Sequence, residues 1–156
     1  LSGADVDVPH EIYESAPLKG GGLIVRLGTD EFFLEDEIGG TTVGQISDSL
    51  GRGTQQVFRV EHQEATFLVV GARALDIMSQ TCGLDLREPV AGRVVLTRVA
   101  GVSAILLPQR IREEPGFRLW VDPSYAHYLW HQLVTIAESL GGRVVGAGRF
   151  FPELLA

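Results

Sequence analysis

Gly116–Gly148, GFRLWVDPSYAHYLWHQLVTIAESLGGRVVGAG, decides the fold. Phe117, Leu119 and Val121 alternate with Arg118 and Trp120, the period-two signature of a strand with one buried face. Asp122 then stands where a helix N-cap belongs, with Pro123 just inside it, where a missing N–H costs nothing. Tyr125, Leu129, Leu133, Ile136 and Leu140 follow at spacings of three and four, which predicts one apolar helix face over Asp122–Leu140. Gly141 supplies a left-handed C-terminal residue, and Val144-Val145 predicts a return to extended chain. Five large apolar side chains at ~1.5–3 kcal/mol each would contribute roughly 7–15 kcal/mol before chain entropy is counted. No other stretch matches that, so the remaining chain has to supply the sheet.

Working outward, Gly92 to Val99 and Val102 to Leu107 read as a hairpin about Ala100-Gly101. Residues 109–115, carrying Arg110, Arg112, Glu113 and Glu114, read as a solvated connection. Phe67 to Val70 reads as a strand closed by Gly71, and Ala74, Leu75, Ile77, Met78 and Cys82 as the face of a second helix. The order strand, helix, hairpin, strand, helix, strand excludes a doubly wound parallel sheet and predicts a split βαβ, ferredoxin-like unit, with both helices on one sheet.

The earlier chain repeats the plan weakly. Leu23, Val25 and Leu27 alternate, Gly28-Thr29-Asp30 turns the chain, and Phe32-Phe33-Leu34 returns. Thr41 or Thr42 can cap a short helix bearing Val43, Ile46 and Leu50, ended by Gly51. Val57 to Val60 reads as a further strand, joined to the next through the polar turn Glu61–Glu64. Two tandem ferredoxin-like α+β subdomains are therefore expected, at about 21–65 and 66–150 of one domain. Residues 1–20 read as a peripheral acidic arm that depends on docking for order, and 151–156 as a tail.

The 156 residues suit a single domain of that kind. Twenty acidic against thirteen basic residues give −7, which disfavours nucleic acid and anionic membranes as partners. No run approaches the ~18 apolar residues of a membrane helix, and no secretory signal opens the sequence. The single Cys82 leaves no internal disulfide and fits a reducing cytoplasm.

Candidate chemistry is sparse. His127 and His131 lie four apart on the central helix, with Glu138 two turns on, a possible two-His-plus-carboxylate set. Position 128 is Tyr where a zinc protease would have Glu, so a polar outer face is the better reading and no metal is expected. Cys82 falls near a helix C-terminus, the wrong dipole end for an activated thiolate, and reads as a buried structural thiol. Gly20-Gly21-Gly22 and Gly39-Gly40 lack the spacing of a dinucleotide or phosphate loop and read as turns. The acidic cluster Asp30, Glu31, Glu35, Asp36 and Glu37 reads as a solvated hairpin edge. No catalytic residue is assigned.

Three segments carry a resemblance: RLGTDEFFLED, VVGARALDIMSQTCGLDL and FRLWVDPSYAHYLWHQLVTIAESLGG. Together they resemble the gamma subunit of heterotetrameric sarcosine oxidase, of the glycine-cleavage T-protein (aminomethyltransferase) folate-binding superfamily. The matching positions are Leu27, Gly28, Asp30 and Glu31; Gly71, Ala74, Cys82, Leu84, Asp85 and Leu86; and Arg118, Leu119, Val121, Asp122, Ser124, Tyr125, Tyr128, Leu129 and Trp130. The resemblance spans about Leu23 to Gly146 and implies tandem ferredoxin-like subdomains. It implies a subunit without catalytic groups, packed on the large folate- and nucleotide-binding subunit of an oxidase of sarcosine or another N-methyl amine.

FAD, FMN, NAD and tetrahydrofolate are then implied for the complex, with none bound by this chain alone. The acidic residues with which T-proteins hold the pterin find no matching positions here, so the cofactor-binding residues are unassigned. A free-standing, self-associating folate-binding or C1-transfer protein is the alternative. For a subunit, Ile12, Tyr13 and Leu18 of the arm, with Trp120 and Trp130 off the apolar stripes, are the candidate interface residues. Burial of either tryptophan under a second layer of the same chain is the competing expectation.

Overall fold

The structure, a computed structural model, describes residues 7–51, 57–60 and 64–150. The architecture is the expected α+β class with two antiparallel sheets, and the chain divides into two compact units, Leu1–His62 and Gln63–Ala156. No helix among the described residues is long and apolar enough to cross a membrane.

The first unit is a three-stranded sheet, β1 (Ser15–Pro17), β2 (Leu23–Arg26) and β3 (Phe32–Glu35), in that order, followed by α1 (Thr42–Gly51). Leu18, Ile24 and Ile46 form its buried centre, with Phe32, Leu34, Val43 and Leu50 packed around them. The expected peripheral arm is corrected here over its described residues. Ser15, Ala16 and Pro17 pair with Val25, Ile24 and Leu23, and the Arg26 guanidinium donates to the carbonyl oxygens of His10 and Thr29 at 2.7 and 2.8 Å. A backbone ladder and one clamp order a segment that has little apolar surface of its own. Residues 1–6 of that arm lie outside the described residues.

The cap of α1 is also not the expected threonine. Asp36, from the end of β3, accepts from the N–H groups of Thr42 and Val43 at 3.1 and 3.0 Å. A carboxylate there satisfies two orphan donors and complements the helix dipole together. Val57–Val60 forms no strand: it has no ladder partner among the described residues, and Phe58 and Val60 are exposed. Residues 61–63 of the expected turn after it lie outside the described residues.

The second unit runs β4 (Ala65–Val70), α2 (Ala74–Thr81), β5 (Val95–Val99), β6 (Val102–Ile111), β7 (Glu114–Val121) and α3 (Ala126–Ser139). Its sheet has the order β4-β7-β6-β5, antiparallel throughout. One face carries both helices: Ala74, Ile77 and Met78 of α2 and Leu129 and Leu133 of α3 share a core with Val99, Leu106, Phe117, Leu119 and Val121. Two tight turns build the meander. Ala100 and Gly101 both have positive φ (48° and 84°), as do Arg112 and Glu113 (48° and 67°), the backbone of two-residue hairpins whose twist matches the strands. The expected solvated connection at 109–115 is thus corrected to the end of β6, a two-residue turn and the start of β7.

Asp122 caps the next turn as expected, accepting from the Ser124 N–H at 2.8 Å. Pro123–Tyr125 is a 3-10 turn, however, which rotates Tyr125 off the apolar stripe into solvent. The closing strand expected at Val144-Val145 is not formed. Gly141, Gly142 and Gly146 flank it and weaken extended pairing, and no described strand lies against it.

Beyond α2, the Cys82 thiol is buried 3.5 Å from the Thr97 hydroxyl, and Cys82 bridges Val99. Asp85 and Arg87 then form an exposed fork, with Arg87 Nε 2.8 Å from Oδ1 and Nη2 2.5 Å from Oδ2. The Arg87 side chain, helped by its backbone N–H, holds the Asp85 carboxyl at about 2 rather than 3.8. A depressed carboxylate pKa favours the fold above the unfolded value and loses that contribution as pH falls from about 4 through about 2. Arg87→Gln is expected to return the Asp85 midpoint toward 3.8 in a carboxyl NMR titration; an unmoved midpoint would refute the fork as its cause.

Candidate functional site

The second unit carries a cleft of about 820 Å³ along β4. β4 is the outermost strand of its sheet, because α2 carries the chain from its end across to β5 at the opposite edge. Residues 66–74 line the cleft consecutively. A sheet face would contribute alternate residues, so consecutive lining marks the open edge of the strand. Trp130, Leu133 and Val134 of α3 form an apolar wall, and the Trp130 ring sits 6.4 Å from that of Phe67. Arg143, Val144 and Val145, just past Gly141, also line it.

The charged lining comprises Arg73, Arg143, Arg149 and one carboxylate, Glu114. Arg73 pairs with Asp76 one turn along. Arg143 and Arg149 form no ion pair among the described residues. The cleft is therefore apolar inside with a positive rim, suited to recognising an apolar ligand that carries negative charge. Nothing in the sequence reading pointed to it. The available signal was the run ATFLVV, six residues without charge or proline.

The expected interface residues separate into two groups. Ile12, Tyr13 and Trp130 are exposed, Trp130 at 43%. Leu18 and Trp120 are buried at 5% and 1% and belong to the chain's own interior. Their expected role as interface residues is corrected accordingly. Leu18 is held by the core of its unit, and Trp120 is itself buried although it lies on the face of β7 opposite Leu119 and Val121. The competing expectation, burial within the same chain, holds for Trp120 and not for Trp130.

His127 and His131 meet on the exposed face of α3 with Nε2 atoms 3.2 Å apart and rings edge to face at 4.5 Å. One nitrogen must donate and the other accept. No group of three His, Cys, Asp or Glu able to hold a metal occurs among the described residues. Metal analysis of untagged protein is expected to show no stoichiometric zinc; zinc lost in His131→Ala would overturn that. The acidic hairpin splits in role: Asp36 caps α1, while the Glu31 carbonyl closes the turn by accepting from the N–H groups of Leu27 and Gly28 at 2.9 and 3.2 Å.

No family model matches the chain, and no curated protein does. Among solved structures, it is similar to a chain of the heterotetrameric sarcosine oxidase from Corynebacterium sp. U-96 in complex with pyrrole 2-carboxylate. The two share 23% identity and superpose with a TM-score of 0.69, over 93% of this chain and 74% of the other. That likeness establishes a common fold.

Proposed function

We propose that the chain is a gamma-type, non-catalytic subunit of a heterotetrameric oxidase of sarcosine or a related N-methyl amino acid. In this reading it packs on the large folate- and nucleotide-binding subunit. The observation that carries the proposal is the fold shared over 93% of the chain with a chain of such an oxidase. Several reactive side chains have structural tasks, which supports it. Asp122 and Asp36 cap helical turns, Asp85 is tied to Arg87, and Cys82 is packed beneath β5.

The flavins, NAD and folate belong to the larger subunits in this reading. A pterin held by acidic side chains does not fit the cleft along β4, whose charges are three arginines and Glu114. No step through folate is derived for this chain.

Coexpression with the flavin- and folate-binding subunits is the test. Co-elution on gel filtration is expected, with no sarcosine oxidation by the chain alone. Elution as a separate species would refute the subunit reading. Micromolar tetrahydrofolate binding by the isolated chain in calorimetry would instead favour the free-standing C1-transfer alternative.

A further inference from the structure

β4 presents an edge that proteins ordinarily guard with charge, proline or a covering segment. Ala65–Val70 has neither charge nor proline, and no described strand pairs with its outer side. The phase of the ladder identifies which groups face outward. Gly71 N–H donates to the Pro115 carbonyl at 2.9 Å, so Val69 with Phe117 and Phe67 with Leu119 continue the hydrogen-bonded pairs. The alternate residues Leu68 and Val70 therefore direct their N–H and C=O groups away from β7, into the cleft. Among the described residues, the outward backbone groups of Leu68 and Val70, an apolar wall from α3 and two arginines without ion pairs converge on one concavity.

We infer that the β4 edge captures an extended segment of a partner chain, alternating apolar and acidic residues, as an added strand of the sheet. Such a strand would satisfy the backbone groups of Leu68 and Val70. Its alternate side chains on the helix side would meet Trp130, Leu133 and Val134, and its acidic residues would meet Arg143 and Arg149. A second copy of this edge is a poor occupant, because it would bring two sets of unpaired arginines together. A small carboxylate would answer the charge yet leave the strand edge unpaired. Charge complementarity thus selects an acidic strand. The inference rests on the subunit reading for the existence of a partner and adds how that partner is held.

The probes are fluorescent peptides of about eight residues alternating valine with glutamate or with lysine, titrated into the full chain by anisotropy. The glutamate peptide is expected to bind at least roughly tenfold tighter than the lysine peptide. Arg143→Glu with Arg149→Glu, both exposed, should reverse that order. Leu68→Pro should abolish binding, since it removes an outward N–H without touching the β7 ladder. Should Leu68→Pro fail to fold, the charge-reversed variant alone decides. Equal binding of the two peptides, no binding, or an unchanged preference in the charge-reversed variant overturns the inference. Assembly of the oxidase complex is measured in parallel. If the unaltered chain assembles and Leu68→Pro, folded, assembles equally well, strand capture fails while the subunit reading survives; if the unaltered chain does not assemble, the subunit reading fails.

Discussion

Trp120→Ala is expected to destabilise the protein by about 3–5 kcal/mol, the cost of emptying a fully buried indole site. Trp120 is among the largest fully buried side chains, at 1% exposure. It sits in β7 opposite Ile105 on one side and Thr66 on the other, with the Arg118 guanidinium 5.9 Å from its ring centroid. Removing it strips contacts from three adjacent strands and leaves a void that close-packed β-sheet neighbours cannot fill. Trp130→Ala should cost about 1 kcal/mol or less, because that ring is 43% exposed and packs mainly on Phe67. Urea unfolding of both variants is the measurement. Equal, small losses would show that Trp120 does not anchor the interior of its unit.

That pair of tryptophans also shows where sequence reading stops. Alternation along FRLWV places Trp120 on the face opposite Leu119 and Val121, and the structure agrees. Alternation carries no information on whether that second face is wet, because coverage depends on residues far away in sequence. Local signals fared well for the same reason in reverse. Asp122, Gly141 and the Ala100-Gly101 turn act on their immediate neighbours, and each is where the spacing puts it. The Arg112-Glu113 turn was missed because two charged residues adopt positive φ against their preference, held there by the pairing of β6 with β7. β1 was missed because Ser15 and Pro17 are poor strand formers, and β2 decides their pairing. Val57–Val60 erred the other way: its β-branched and aromatic residues suit a strand, yet a strand exists only with a ladder partner. The cleft was invisible for a topological reason. ATFLVV reads as a strand, while its position at the sheet's rim follows only from the order β4-β7-β6-β5.

Gly22→Ala is expected to destabilise the first unit by about 2–4 kcal/mol, from a strained φ, a clash and a disturbed helix cap acting together. Gly22 has φ +85°, and an added Cβ would fall 2.1 Å from the Glu35 carbonyl oxygen and 2.8 Å from the Asp36 Cα. Both obstacles are backbone, so relief requires moving the end of β3. That end is not free to move, because the Asp36 carboxylate also holds the Thr42 and Val43 N–H groups of α1. One methyl group thereby presses on the β1–β2 turn, the β2–β3 ladder and the α1 cap at once. Among the described residues the unit resists with a small core that includes Leu18, Ile24 and Ile46. Gly21→Ala is the control: its φ is +92°, yet the nearest atoms to the Cβ would be the carboxyl group at the end of the Glu37 side chain, which can swing away. It should cost about 1–2 kcal/mol. Native-state hydrogen exchange at Ile24, Val25 and Ile46 separates the cases, with Leu106 and Leu119 of the other unit as reference amides. Loss of protection at the first three in Gly22→Ala, and little in Gly21→Ala, is the expected result. Equal loss in the two variants would show that left-handed strain, and not the backbone contact at Glu35, sets the requirement for glycine.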